Sequence, residues 1–234
     1  MDFPDQPQNA LLARVYTALH RLANPNNQDG AAKGHGCFAD IDFPIQPFDG
    51  FMAAAYRLAL AINPQRQLRF IDVGCGGGTK IFAAKHYFQV ADGIEYDQGY
   101  AQAARKMLGD IGFTGSTVFE ADAQGFEAYA NYNIIYFYRP MAVDEKMRAL
   151  EQRIIAQSNP GTLLIAPYET PMAAESLGKC SHILGPIFGV GIAQAEVKTL
   201  VRDAEATGLG ILKRSADSPF DTTYWAPILD VASF

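Results

Sequence analysis

A dense glycine turn in the stretch 69–80 constrains the fold of this chain more than any other feature. The turn directly follows an apolar run over residues 68–71, and an Ala-rich helical pattern begins after residue 80. A short apolar run of this kind is typical of a buried parallel strand. A strand, a glycine turn and a helix form the nucleotide-binding start of a doubly wound α/β sheet, because glycines let the backbone turn tightly and approach a ligand closely. The turn contains four glycines: Gly74, Gly76, Gly77 and Gly78.

The spacing of these glycines disfavours two common nucleotide loops. The dinucleotide pattern G-x-G-x-x-G, counted from Gly74, ends on Thr79 rather than on a glycine. The phosphate-loop pattern requires a glycine directly before its lysine, whereas Lys80 follows Thr79. Asp72, two residues before Gly74, would repel a pyrophosphate but suits a cationic or amine-bearing ligand. The stretch therefore favours a ligand that carries positive charge.

A second acidic residue lies at the end of the next predicted strand, over residues 90–95. Glu95 follows Gly74 by 21 positions. That is where a nucleotide-binding α/β unit places the carboxylate that accepts hydrogen bonds from both ribose hydroxyls. An acidic residue at a strand end is common, so this prediction depends on the glycine turn that precedes it.

The rest of the chain predicts alternating strands and helices. The apolar pattern favours an N-terminal helix capped by Asn9, and a second helix that begins at Phe48 or Asp49. The stretch 170–191, with two prolines and four glycines, is predicted to be mostly irregular. The fold class is α/β: a seven-stranded doubly wound sheet, mostly parallel, with a C-terminal antiparallel hairpin and an N-terminal helical extension. The later strands are predicted over residues 116–120, 132–138, 162–168, 210–214 and 223–231.

The stretch 72–78 resembles motif I of the class I S-adenosylmethionine-dependent methyltransferases, which have a Rossmann-like fold. Their cofactor, S-adenosyl-L-methionine, carries a sulfonium and an α-amino group and no phosphate. The resemblance covers residues 48–231. It implies that Asp122 takes the adenine amino group and that the neighbouring backbone amide meets a ring nitrogen, although Asp122 could also cap a helix over residues 124–129. The implied cofactor site contains Asp72, Gly74, Cys75, Gly76, Gly78, Glu95, Tyr96, Asp122, Ala123 and Tyr138.

The acceptor site is expected at the end of the strand 132–138, where Tyr138 and Arg139 are the candidate catalytic residues. Family members that methylate amides or bases carry an Asn- or Asp-Pro-Pro-aromatic tetrad at this place. The sequence Tyr-Arg-Pro-Met over residues 138–141 departs from that tetrad, which disfavours methylation of a nucleobase or a glutamine amide. Arg139 could hold a carboxylate or phosphate of the acceptor, or could form a structural salt bridge at a helix start. The candidate proton acceptors or orienting groups are His35, Tyr138 and Tyr168.

The first 47 residues are predicted to form an N-terminal helix and a loop, and residues 48–234 to form the methyltransferase domain. The loop over residues 30–47 has glycines around His35, followed by aromatic residues and prolines. It could be a lid over the pocket, since it precedes the glycine-rich strand and must lie near it, or a mobile surface linker. Phe48 and Asp49, at the head of the next helix, are loosely similar to the aromatic-acidic entry of the non-SET histone-lysine methyltransferases.

Composition narrows the class of partner and the compartment. A net charge of −6 disfavours nucleic acid as the main partner. The apolar runs are shorter than the roughly 20 residues that span a membrane. The three cysteines lack metal-ligand spacing, so we expect free thiols, a reducing cytoplasmic compartment and no metal.

The expected function is methyl transfer from S-adenosyl-L-methionine to an unidentified small-molecule or protein acceptor. The chain could also form a homodimer through its N-terminal helix. One alternative is a catalytically idle, cofactor-binding scaffold or regulatory protein of the same fold. Another is an NAD-dependent oxidoreductase, which the early third glycine disfavours.

Overall fold

One twisted sheet forms the centre of the molecule. The computed structural model describes residues 7–24, 28–39, 41, 43–64, 67–167 and 178–206. Within these residues the strands are β1 (Arg69–Val73), β2 (Val90–Glu95), β3 (Val118–Glu120), β4 (Ile134–Phe137), β5 (Leu163–Ile165), β6 (Cys180–Leu184) and β7 (Ile187–Val190). They form a single seven-stranded sheet in the order β3-β2-β1-β4-β5-β7-β6. The first five strands are parallel, and β7 is antiparallel to both β5 and β6. The predicted fold class is therefore confirmed.

Helices cover both faces of this sheet. They are α1 (Pro7–Ala23), α2 (Gly30–His35), α3 (Ile45–Ile62), α4 (Thr79–Ala84), α5 (Gln98–Asp110) and α6 (Asp144–Gln157), followed by α7, which is described over residues 197–206. Short 3₁₀ turns lie at Tyr129–Asn131 and Gln194–Glu196. Among the described helices, none is both long enough and apolar enough to cross a membrane.

Successive side chains of the central strands belong alternately to two separate hydrophobic cores, one on each face of the sheet. Phe70 of β1 points to the face covered by α1, α3, α4 and α5, where its ring lies 6.4 Å from that of Phe48. Its neighbour Ile71 belongs to the opposite core, together with Leu150 and Ile154 of α6. Because both faces of the central strands are buried, their sequences are nearly continuous apolar runs, which is typical of parallel strands in doubly wound folds.

The antiparallel hairpin lies earlier in the chain than predicted. Strands β6 and β7 fall inside the stretch 170–191, so the prediction of a mostly irregular segment is wrong for residues 180–190. Gly185 makes the turn between them with a φ of 50°, and Pro186 follows it. This glycine and proline lie between two short strands, so the alternation of apolar and polar residues in each strand is too short to outweigh the turn signal. The strands predicted over residues 210–214 and 223–231 lie outside the described residues.

Three helix boundaries also differ from the predictions. Helix α3 begins at Ile45, before Phe48, because the first turn of a helix tolerates Pro47. Helix α1 begins at Pro7, before the predicted cap at Asn9. The pattern after the glycine turn predicts a helix to about residue 87, but α4 ends at Ala84 and continues as a turn. The helix α2, in a region predicted to be a loop, is capped by Asp29 and ended by Gly36 in a left-handed conformation.

Candidate active site

A cleft opens at the carboxyl ends of β1, β2 and β4, where the strand order of the sheet reverses direction. Open α/β sheets place their ligands at this switch point. The cleft has about 540 Å³ of empty space when its open mouth is included, but only about 50 Å³ of it is accessible to water-sized molecules. Its walls come from the glycine turn, the ends of β2 and β3, the loop after β4, residues 37–39 and residue 41.

The glycine turn forms the floor of the cleft and touches the loop after β4. The backbone N–H groups of Gly74 and Cys75 both donate to the Ile94 carbonyl, at 2.8 and 3.0 Å, and tie the turn to β2. Gly74 has a φ of 80°, and a Cβ at this position would lie 2.7 Å from Cβ of Pro140. Only glycine therefore allows the turn and the β4 loop to approach this closely.

Glu95 joins the glycine turn to the start of α5. Its Oε2 accepts a hydrogen bond from Gly76 N at 2.8 Å, and its Oε1 accepts one from Asp97 N at 2.9 Å. The residue is buried but lines the cleft. These two contacts orient the carboxylate between the glycine turn and the start of α5, at the wall of the cleft.

Three side chains meet beside Glu95. The His35 ring stacks on the ring of Tyr96, with centroids 4.2 Å apart and planes 10° from parallel. His35 Nε2 also lies 3.3 Å from Asp122 Oδ2, without the alignment of a hydrogen bond. The other carboxylate oxygen of Asp122 accepts from Gln124 N at 2.8 Å, so the residue stabilises a turn rather than the helix considered from sequence.

The segment 36–38 lies across the cleft and pairs with the β4 loop. Cys37 forms an isolated antiparallel bridge with Met141, flanked by hydrogen bonds from Phe38 N to the Pro140 carbonyl and from Ala142 N to the Gly36 carbonyl. Burial, followed by the charge of Glu95, raises the pKa of the Cys37 thiol to about 11. The thiol is therefore protonated at neutral pH.

The two candidate catalytic residues both line the cleft. The Tyr138 ring packs edge-on against Phe43, with centroids 4.8 Å apart. The Arg139 guanidinium lies 5.6 Å from the centre of the Phe38 ring and 3.9 Å from Asp144 at the start of α6. The structural salt bridge considered from sequence is thus present, but an exposed pair at this distance stabilises little. The guanidinium can still bind an anion.

The predicted cofactor residues divide between the cleft and its surroundings. Asp72 is 2% exposed and lies on the same face of β1 as Phe70, behind the cleft. Cys75 is packed in the core, and Asp122 lies at the cleft rim against His35. Tyr168 lies outside the described residues. The predicted residues that line the cleft are Gly74, Gly76, Glu95, Tyr96, Ala123, Tyr138 and Arg139.

Two residues near the site are not among the candidates predicted from the sequence. Tyr100 lines the cleft from the first turn of α5, directly after the cap at Asp97, and its place so soon after Glu95 is a signal that could have found it. Lys146 of α6 donates a hydrogen bond to the His35 carbonyl and so fixes α2 beside the cleft. These two residues are 111 positions apart, and no sequence pattern indicates the contact.

Comparison with known proteins identifies a family. The model of the protein-L-isoaspartate(D-aspartate) O-methyltransferase (PCMT) family matches residues 46–181, which is more than half of the 234-residue chain. No curated protein matches the chain. The matched family gives no support to the looser similarity to histone-lysine methyltransferases, and Phe48 is a fully buried core residue.

Several solved structures are distantly similar. An amino pentose methyltransferase from Micromonospora echinaspora, bound to its SAM cofactor, is 18% identical, with a TM-score of 0.44 over 57% of this chain and 59% of that chain. A sugar N-methyltransferase from Streptoalloteichus is 19% identical, with a TM-score of 0.43 over 54% of this chain and 51% of that chain. An RNA methyltransferase from Salinibacter ruber, in complex with S-adenosyl-L-homocysteine, is 16% identical, with a TM-score of 0.43 over 64% of this chain and 91% of that chain. The chain thus spans less than two thirds of the first two structures.

Proposed function

The chain belongs to the protein-L-isoaspartate(D-aspartate) O-methyltransferase family, and on this premise we propose that it transfers a methyl group from S-adenosyl-L-methionine to a small-molecule or protein acceptor. The observation that carries the proposal is the position of Glu95. Its carboxylate is held between the glycine turn and α5 at the edge of the cleft. A carboxylate at this place suits the two ribose hydroxyls of the cofactor.

The residues around the cleft fit the other parts of the cofactor. The Tyr96 ring and the Asp122 carboxylate suit an adenine ring and its amino group, and we call these two groups the adenine subsite. The glycine turn at Gly74 and Gly76 presents backbone without Cβ atoms to the cleft. When bound, S-adenosyl-L-methionine supplies a methyl group that is already electrophilic, so the chain mainly has to bind and orient the two reactants.

A carboxylate is the acceptor that the β4 loop suits best. The family name specifies O-methylation of an isoaspartate, and Arg139 offers a guanidinium that can hold a carboxylate through two parallel hydrogen bonds. A carboxylate is ionised at neutral pH and needs no general base. Tyr138, beside Arg139 in the cleft wall, then has an orienting role, and the chain needs no strong proton acceptor at this place.

The cofactor assignment is tested by calorimetry with S-adenosyl-L-homocysteine. We expect Glu95→Gln to weaken binding roughly 10- to 100-fold, because hydrogen bonds to a charged group are lost. Glu120→Gln is the matched control: it makes the same change at the end of the neighbouring strand β3, where Glu120 pairs with Arg105 outside the cleft. Unchanged affinity in Glu95→Gln would contradict the assignment, and binding of NAD instead would identify an oxidoreductase.

The acceptor class is tested with methyl-labelled cofactor and acidic peptides. A methyl ester on a carboxylate is hydrolysed by mild alkali, whereas a methyl group on nitrogen is retained. We expect alkali-labile label with the native chain and a strong decrease in Arg139→Gln. Alkali-stable label would overturn the carboxylate acceptor but not the methyltransferase. Cofactor binding without any transfer would identify a binding protein of the same fold.

The compartment and assembly are part of the same proposal. Cys37, Cys75 and Cys180 are free thiols, which supports the reducing, cytoplasmic location predicted from sequence. The homodimer and the division of the chain at residue 47 stay predictions. The acidic net charge supports a small molecule or a protein, rather than nucleic acid, as the partner.

A further inference from the structure

We propose that His35 and the adenine ring of the cofactor compete for the same subsite, so that α2 is a built-in competitor which the cofactor must displace. The inference rests on the proposed function, because it concerns the same cofactor. It assigns to α2 the opposite role from a lid that closes over a bound ligand. The two roles predict affinity changes of opposite sign.

The contacts of His35 are those expected of an adenine ring. Its flat aromatic ring lies parallel to the ring of Tyr96, with a centroid separation of 4.2 Å. Its Nε2 faces the Asp122 carboxylate at 3.3 Å, where an adenine amino group would donate. Nε2 is buried and has no hydrogen-bond partner. A single side chain therefore takes both surfaces that a nucleoside base would use.

The shape of the cleft agrees with this proposal. Its enclosed part is only about 50 Å³, although its empty space is about 540 Å³ when the open mouth is included. Pockets for small molecules typically measure about 300–1,000 Å³. One wall of the cleft, directly after His35, consists of Cys37, Phe38, Ala39 and Ile41. A nucleoside that fills the enclosed part therefore has to move this wall together with His35.

In addition to the pairing of residues 36–38 with the β4 loop, one contact at each end holds α2 in the occupying position. At its C-terminal end, Lys146 Nζ donates to the His35 carbonyl. At its N-terminal end, Asp29 N donates to Asp97 Oδ2 at 2.6 Å, and Asp97 N in turn donates to Glu95 Oε1. Both ends of α2 are thus fastened next to the adenine subsite and the ribose carboxylate. Removal of the Lys146 contact should weaken the attachment of the helix without changing the subsite itself.

The competition has a measurable effect on affinity. A ligand that binds only the open form has an apparent dissociation constant equal to the intrinsic constant divided by the open fraction. Loss of one stacked ring pair shifts such an equilibrium roughly 2- to 10-fold. We therefore expect His35→Ala to bind S-adenosyl-L-homocysteine roughly 2- to 10-fold more tightly than the native chain. Lys146→Met, which keeps the alkyl chain and removes the donor, should change affinity in the same direction.

The experiment is calorimetry with S-adenosyl-L-homocysteine on the full chain and three variants: His35→Ala, Lys146→Met and His182→Ala. His182→Ala is the matched control, because His182 also packs on an aromatic ring, Phe188 at 5.2 Å, but lies on the edge strand β6. Tighter binding in the first two variants and no change in the control would support the competitor. Weaker or equal binding in His35→Ala would overturn it and favour a lid or a passive wall. No binding to any variant would overturn the proposed cofactor, and the inference with it.

A second measurement follows the His35 ring directly. The chain has four histidines, so the imidazole protons can be assigned in NMR spectra by comparison with His35→Ala. Stacking on Tyr96 should shift the His35 protons upfield in the free protein, and saturating S-adenosyl-L-homocysteine should abolish this ring-current shift. An upfield shift that persists in the complex would place His35 beside the bound cofactor and overturn its displacement.

Discussion

Cys37 shows how the cleft controls the chemistry of a single residue. Its thiol lies in the segment that crosses the cleft, and burial, Glu95 and Asp122 all disfavour the thiolate. The pKa of about 11 lies two units above the ordinary value of 9.0. Because the folded protein keeps a proton that the unfolded chain releases, this thiol contributes a loss of stability as the pH rises from 9 to 11.

We expect alkylation of Cys37 to be slow at neutral pH and to keep accelerating above pH 9. Only the thiolate reacts. Because the pKa of Cys37 lies two units above the ordinary value, its thiolate fraction below pH 9 is about 100-fold smaller than that of an ordinary thiol, and the rate should be lower by the same factor. The rate with iodoacetamide, measured by mass spectrometry from pH 7 to 11, checks this. A plateau near pH 9 in protein that is still folded by circular dichroism would contradict it. Asp122→Asn should move the rise to lower pH, because Asp122 raises the pKa.

The helix α1 is the element that buries the glycine turn from the outside. Its residues Leu19 and Ala23 are each 1% exposed and belong to the core beneath α3, α4 and α5. A Cβ at Gly77 would lie 2.7 Å from Cβ of Ala23, so the end of α1 rests directly on the turn. The N-terminal helix therefore supports the floor of the cleft as well as extending the domain.

Two leucines of α1 provide a matched pair for this packing. Leu19→Ala should lower the free energy of unfolding by about 2–5 kcal/mol, because it leaves a cavity in the core. Leu22→Ala makes the same change at a residue that is 58% exposed, and should change that free energy by less than about 0.5 kcal/mol. Urea unfolding of both variants measures the difference. Equal effects would mean that α1 is not packed in solution as described.

The sequence predicts the elements whose signals are local. The apolar run of β1 and the strand end at Glu95 both lie where they are expected. The hairpin of β6 and β7 lies where the sequence predicts an irregular segment, because glycine and proline turn residues outweigh the alternation of two such short strands. In the site, Gly74, Gly76 and Tyr96 line the cleft, whereas the contact of His35 with Asp122 depends on tertiary packing across 87 positions of the chain.

At the scale of the whole molecule, one end of the sheet forms the cleft and the other end holds a hydrogen-bond network that stabilises the fold. The cleft lies at the carboxyl ends of the strands, while a buried carboxylate, Asp92, joins several elements towards the other end. It accepts hydrogen bonds from Thr117 N at 2.7 Å and from the Tyr132 hydroxyl at 2.8 Å, and it lies 3.9 Å from Arg69 Nη2. These contacts link β2 to the residues that precede β3 and β4 and to the start of β1. Stability and ligand binding should therefore be separable.

The variant Tyr132→Phe tests whether stability and cofactor binding are separable. The change removes a hydrogen bond to a buried carboxylate and should cost about 1.5–3 kcal/mol in the free energy of unfolding. Tyr129→Phe removes a hydrogen bond of the same length, 2.8 Å, to the neutral Ala123 carbonyl, and should cost only about 0.5–1.5 kcal/mol. Thermal unfolding compares the two variants, while calorimetry should find unchanged cofactor affinity in Tyr132→Phe. A large loss of affinity there would show that the two ends of the sheet are coupled.

The backbone of Arg139 has a consequence for how this site can evolve. Its φ of 47° lies in the left-handed region, which asparagine and glycine enter at low cost and a long side chain does not. Drift under selection for stability alone would replace such an arginine with one of those residues. Under the proposed carboxylate acceptor, we therefore expect arginine at this position in relatives that methylate an anionic acceptor, and asparagine or glycine in relatives that do not.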